Sequence, residues 1–96
     1  MLQEIVIRTE NADALKPLVR AAMDREAKLL EHSIERTRTA LKAFEKRHNM
    51  TTAEFERKFK AREIEETLDT LDWWMETEAL HHLENQLQSM REAQVE

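Results

Sequence analysis

The chain has 96 residues, a formal net charge of -5 at pH 7, and 36% of its residues are Asp, Glu, Lys or Arg. It contains no Gly, Cys or Tyr and a single Pro, which excludes disulfides, thiolate metal sites and cysteine nucleophiles and disfavours turn-rich folds. No apolar run approaches the roughly 20 residues of a membrane span, and no signal-peptide pattern opens the chain. We therefore expect a helical, cytoplasmic protein that does not enter membranes.

The first ten residues are predicted to form an N-terminal strand or arm, and residues 11–96 a single helical domain. Residues 3–9 (QEIVIRT) include a short β-branched run, which is typical of a strand and would place Ile5 and Ile7 on one face and Val6 on the other. One strand cannot satisfy its own backbone groups. It must pair with a second copy, pair with a partner chain or lie against the helices, and we favour symmetric pairing in a dimer.

A long first helix is predicted from residues 11–14 to His48, about 50 Å in length. Asn11 and Asp13 are candidate N-caps, and Pro17 fits only if it lies within the first turn. One stripe at spacings of three and four runs along this helix, with two polar interruptions. Its members are Leu15, Leu18, Ala22, Glu26, Leu30, Ile34, Thr37, Leu41, Phe44 and His48.

A break and a short elbow helix follow. Asn49 can adopt the left-handed conformation that ends a helix, and Thr51 with Glu54 has the spacing of a capping box. Phe55 and Phe59 lie four residues apart on one face and are expected to fill the corner between the long helices.

The last helix is predicted from residue 63 or 69 to residue 93. Its apolar residues are Ile64, Leu68, Leu71, Trp74, Met75, Leu80, Leu83, Leu87 and Met90. The fold class is therefore all-α: a long antiparallel helical hairpin with an elbow helix. Two helices cover only one side of each other, so we expect a homodimer that forms a four-helix bundle.

Charge is distributed unevenly along the chain. Residues 12–62 carry 13 Lys or Arg and 8 Asp or Glu, whereas residues 63–96 carry one Arg and 10 acids. In one interpretation, the acidic arm of the hairpin lies beside the basic arm and partly neutralises it. Alternatively, it offers an acidic face to a basic partner, because complementary charge speeds encounter. The sequence leaves both interpretations open.

Two pairs have the Glu-x-x-His spacing of carboxylate-bridged di-iron helices: Glu45 with His48, and Glu78 with His81. Such a site also needs a glutamate from a facing helix. Glutamate occupies 16 of 96 positions, so the spacing arises near chance, and we favour solvated or interface roles. A ferritin-like metal-binding oxidoreductase is the alternative, and no cofactor is predicted.

Other chemistry is less supported. Ser33 and Ser89 lack the arrangement of a nucleophile, and a chain without Gly has no phosphate-binding loop, so we expect no enzyme. The basic run at residues 57–62 surrounds Phe59 and would suit phosphates, unless Phe59 faces the core. The acidic balance argues against nucleic acid as a ligand of the isolated protein.

The adjacent residues Trp73 and Trp74 point about 100° apart on a helix, so one is expected inside and the other at an interface. The alternative has both rings buried by the elbow helix. The predicted partner interface comprises Trp73, Trp74 and Phe59, with an acidic border of Glu63, Glu65, Glu66, Asp69 and Asp72.

Four stretches resemble small helical prokaryotic proteins encoded beside TumE-type toxins: residues 18–22 (LVRAA), 44–47 (FEKR), 50–55 (MTTAEF) and 72–76 (DWWME). Asn49 stands where that group usually has glycine, and Met75 where it has a small residue. The resemblance implies an antitoxin-like protein that binds and neutralises a cognate toxin, and it supplies no catalytic residues. A purely structural coiled-coil adaptor is the remaining hypothesis.

Overall fold

The computed structural model describes residues 4–93, so residues 1–3, including Gln3 of the predicted strand, and residues 94–96 lie outside the described residues. It contains three helices: α1 (Ala12–His48), α2 (Thr52–Lys60) and α3 (Leu68–Glu92). The prediction of an all-helical chain with two long helices and a short elbow helix is confirmed. Residues 4–9 are exposed and belong to no helix or strand.

Helices α1 and α3 run antiparallel, as the ion pairs between them show. Arg47 at the end of α1 pairs with the first turn of α3, Arg38 Nη2 lies 3.4 Å from Glu84 Oε2, and Arg91 Nη2 lies 3.2 Å from Glu31 Oε1. The chain measures 58 × 26 × 18 Å along its principal axes. No described helix combines the length and the apolarity needed to cross a lipid bilayer.

The start of α1 differs from the prediction. Asn11 occupies the N-cap position, but its side chain makes no capping hydrogen bond, and Asp13 lies in the first turn instead. Pro17 is the sixth residue of α1, beyond the first turn where it was expected. A proline there removes one backbone hydrogen bond, and this end of the helix tolerates the loss because Pro17 is exposed.

The two turns of the chain use left-handed residues in place of glycine. Asn49 ends α1 with φ 49° and ψ 50°, as predicted, and Arg62 follows α2 with φ 60°. Thr51 Oγ1 accepts a hydrogen bond from the Glu54 N–H (3.1 Å), so Thr51 is the N-cap of α2. The predicted capping box is only half formed, because the described contacts include no return bond from the Thr51 N–H to the Glu54 side chain. A neighbouring N–H, that of Thr52, donates to the Glu45 carboxylate of α1 (2.7 Å).

Helix α3 begins at Leu68, one residue before the later of the two predicted starts. A reciprocal capping box fixes this start: Thr70 N–H donates to Thr67 Oγ1 (3.1 Å), and Thr67 N–H donates to Thr70 Oγ1 (2.8 Å). The box was not anticipated, because Thr at the fourth position is rarer there than Glu or Gln.

The core consists of two clusters between the long helices. The elbow cluster contains Leu41, Phe44, Phe55 and Trp73, and the distal cluster contains Leu30, Ile34 and Leu87. Within α1, the predicted stripe is buried only from Leu30 onwards, and Leu18 remains 67% exposed. The reason is length: α3 has 25 residues and α1 has 37, so α3 reaches Ala27 and leaves most of the first half of α1 without a facing helix.

We predict that Phe55→Ala destabilises the protein by about 3–5 kcal/mol, because Phe55 is fully buried and its removal leaves a cavity between three helices. Leu29→Ala is the control: Leu29 is 55% exposed, and its replacement should change the free energy of unfolding by less than about 0.5 kcal/mol. Urea unfolding of both variants measures the difference, and equal effects would contradict this account of the core.

We predict that Asn49→Ala costs about 1 kcal/mol, whereas Asn49→Gly leaves stability equal or higher. The reason is the left-handed backbone at this position, which a Cβ disfavours and which glycine adopts freely. Thermal unfolding of the two variants under matched conditions provides the measurement. A destabilised Gly variant would show that the Asn49 side chain itself is needed.

Candidate interaction site at the start of α3

Trp73 is the residue that fixes how α3 is rotated against the rest of the chain. Its ring is 1% exposed and stacks on Phe55 of α2 at 3.9 Å between centroids, with an interplanar angle of 3°. Phe44 and His48 of α1 stack on it at 5.8 and 5.1 Å. The indole N–H donates to Thr52 Oγ1 (3.2 Å), so the polar atom of this buried ring is also satisfied.

Asp69 ties the first turn of α3 to the last turn of α1. Arg47 Nη2 donates to its Oδ1 (2.8 Å), and His48 Nε2 lies 2.5 Å from its Oδ2. The hydrogen bond with His48, followed by that from Arg47, holds the pKa of the Asp69 carboxyl below its ordinary value of 3.8. The acid at a helix N-terminus and the bases at a helix C-terminus also suit both helix dipoles.

With Trp73 facing inward, the opposite side of α3 faces away from α1. This side carries Leu68, Leu71 and Met75, which are 84%, 39% and 67% exposed. Their spacing of three and four residues places them on one face, so they form a continuous apolar stripe over two turns. The next positions of this face are Glu78 and Ala79, and both are exposed.

Acidic residues surround the stripe. Residues 63–78 contain seven Asp or Glu and no Lys or Arg. Within residues 4–93, Asp69 is the one member of this group in an ion pair. We use the name acidic–apolar face for the stripe and its exposed acidic neighbours: Leu68, Leu71, Met75, Glu65, Glu66, Asp72 and Glu78.

The residues predicted for the interface divide into three groups. Trp73 lies inside the elbow and has no ring surface to offer, so contact with a partner would require the elbow to open. Trp74 and Phe59 are half-buried and stack on each other at 4.9 Å, with the Lys60 ammonium 5.8 Å from the Trp74 ring. The predicted acidic border is exposed at Glu63, Glu65, Glu66 and Asp72, whereas Asp69 is engaged with α1.

The position of Phe59 decides between the two interpretations of the basic run at residues 57–62. Its ring packs against Phe55 at 5.2 Å and joins the elbow cluster. Phe59 therefore faces the core. Its ring does not lie among the basic side chains, where it could stack on a nucleobase.

Leu68, Leu71 and Met75 were not recognised as site residues from the sequence. They were assigned to one apolar series together with Leu80 and Leu87, although the series covers two faces of the helix. A helical projection with Trp73 placed inward would have separated them, because positions 68, 71 and 75 fall about 140–200° away from position 73.

The four residues of the metal alternative have separate roles in the described chain. Glu45 accepts from the α2 backbone, His48 pairs with Asp69, and His81 Nε2 lies 3.0 Å from Glu56 Oε1. Glu78 is exposed on the acidic–apolar face. Residues 4–93 contain no group of three His, Asp or Glu side chains arranged to hold a metal ion.

No protein-family model, curated protein or solved structure matches this chain. The resemblance to proteins encoded beside TumE-type toxins therefore stays a prediction.

We predict that Asp69→Asn lowers the free energy of unfolding at pH 7. We also expect the free energy of unfolding of this variant to fall less steeply with decreasing pH than that of the original chain. The folded pKa of Asp69 lies below 3.8, so its stabilising contribution is present above that pH and is lost as the pH falls through the folded pKa. Urea unfolding from about pH 7 to pH 3 measures this dependence.

Asp72→Asn is the matched control, because it removes the same charge from an exposed position of the same helix. A pH dependence altered equally in both variants would show that overall charge, and not the contacts with Arg47 and His48, is responsible.

Proposed function

We propose that this protein is a non-catalytic protein–protein interaction module that uses its acidic–apolar face to bind a basic protein partner. Following the resemblance, the partner is a cognate toxin that the module binds and neutralises. The proposal includes a homodimer, whose second copy covers apolar surface that the single chain leaves uncovered, including Leu18 of α1. A partner helix or strand with apolar residues flanked by Lys or Arg has the chemistry that fits this face.

The observation that carries the proposal is the exposed stripe of Leu68, Leu71 and Met75. Scattered apolar residues on a surface need no explanation, but a two-turn stripe bordered by one sign of charge is the pattern of an interaction surface. Full burial of one such side chain contributes about 1.5–3 kcal/mol, so the stripe supplies a central contact of several kcal/mol.

The acidic border adds selectivity to this contact. Six of the seven acids in residues 63–78 form no ion pair in the described chain, so negative charge is concentrated around the stripe. Such a concentration of charge accelerates the approach of a basic protein and disfavours acidic ones. The other ion pairs between α1 and α3, Arg38 with Glu84 and Arg91 with Glu31, involve none of these seven acids.

We predict that Leu68→Ser with Met75→Ser weakens binding of the protein encoded by the neighbouring gene by at least about tenfold, a loss of roughly 1.4 kcal/mol or more. Co-expression followed by native mass spectrometry gives the stoichiometry, and titration calorimetry gives the affinity. The double variant should fold as the original does, because both side chains face away from the core.

Leu29→Ser is the control, since Leu29 is an equally apolar exposed residue on α1. Asp72→Lys with Glu78→Lys tests the charge: the association rate should fall, and its dependence on salt concentration should weaken. Equal affinity of all variants, or no complex with the original chain, would refute the proposed function.

A further inference from the structure

The N-terminal arm, residues 4–9, presents β-branched side chains that nothing in the described chain covers. Ile5, Val6 and Ile7 are 91%, 70% and 60% exposed. This segment belongs to no helix, so its backbone N–H and C=O groups are available for pairing with another strand. Three consecutive apolar β-branched residues with free backbone groups favour strand addition.

The arm has a chemical symmetry about Val6. In an antiparallel pair of two copies centred on Val6, Ile5 of each copy lies opposite Ile7 of the other. Glu4 then lies opposite Arg8 at both ends of the paired segment. A two-fold axis through Val6 therefore matches apolar with apolar and acid with base, which is the self-complementarity that a symmetric dimer interface requires.

Other registers lose this match. Centring the pair on Ile7 places Glu4 opposite Glu10, two like charges, and centring it on Ile5 places Glu4 opposite Val6. A register shifted by one residue sets Ile5 against Arg8 and has no residue on the axis. In a parallel pair in register, Glu4 lies beside Glu4 and Arg8 beside Arg8 of the other copy, so like charges meet. Of these arrangements, the antiparallel pair centred on Val6 is the one that sets apolar residues opposite apolar residues, and acid opposite base, at every position from 4 to 8.

We propose that two copies of this chain pair through their N-terminal arms as an antiparallel two-stranded ribbon, with Val6 on the two-fold axis and Glu4 opposite Arg8. The inference rests on the homodimer within the proposed function and gives that homodimer its contact surface. It does not depend on binding of a toxin.

The ribbon needs a support, because two strands alone are marginally stable in water. The first half of α1 follows the arm directly and has no buried side chain: the first buried residue of α1 is Leu30, and Leu18 is 67% exposed. The apolar side of the ribbon packs on this part of α1 in each copy. The same assembly therefore covers the two apolar regions at this end of the molecule.

Single cysteines test the register, since the chain has no cysteine of its own. With Val6→Cys, the two thiols face each other across the axis at the Cα separation of about 4.5–5.5 Å that a disulfide accepts. With Ile5→Cys, each thiol faces Ile7 of the other copy, and the two cysteines lie more than about 7 Å apart. Under mild oxidation, Val6→Cys should form the cross-linked dimer at least about tenfold faster than Ile5→Cys or Glu10→Cys.

Charge reversal provides a second test that needs no cross-link. Glu4→Arg or Arg8→Glu alone turns two attractive pairs into repulsive ones and should raise the dimer dissociation constant about 3- to 30-fold. Combining both substitutions restores the pairs in swapped order and should return the constant to its original value. Sedimentation equilibrium on the full chain measures all four proteins.

Equal cross-linking at the three positions, a monomeric chain at tens of micromolar, or a double variant as weak as the single variants would each overturn the proposed pairing. An arm that instead adds to a sheet of the partner protein would give slow cross-linking at Val6 and no rescue by the double reversal. If the dimer forms in this register but no neighbouring protein binds, the pairing stands and the toxin-binding proposal fails.

Discussion

The placement of Trp73 is the constraint on which the rest of the structure depends. The chain contains two tryptophans and three phenylalanines, and the elbow gathers most of its aromatic surface around this single ring. The near-parallel stack on Phe55 and the hydrogen bond to Thr52 hold α2 against α3, while Phe44 and His48 hold α1. Because this rotation of α3 is fixed, the outward position of Leu68 and Met75 follows from it without any further interaction.

The sequence was sufficient to predict the order and type of the elements. Helical periodicity located three helices, and local turn chemistry located the end of α1 at Asn49 and the N-cap at Thr51. These features depend on residues close in sequence. The Thr67–Thr70 capping box and the position of Pro17 within α1 were harder to predict. Neighbouring residues allow several helix starts, and the choice among them depends on packing against the other helices.

The candidate site was predictable only in part, for a physical reason. The acidic character of residues 63–78 is visible in the sequence, but the facing direction of each residue depends on which tryptophan is buried. The order Trp73 inside and Trp74 at the edge is decided by the position of Phe55 and Phe59 on α2. Sequence spacing within α3 alone does not contain that information, so Trp73 was included in the interface and Leu68 was not.

The unequal lengths of α1 and α3 have a consequence for folding. Most helical stability in proteins comes from tertiary packing, and residues 12–29 of α1 include no buried side chain, with Ala27 partly buried against the distal cluster. This part of the helix is therefore held by fewer contacts within the chain than the elbow is. Amide hydrogens in the first half of α1 should accordingly open and exchange faster than those near Trp73, so that one continuous helix has an end of low local stability and an end of high local stability.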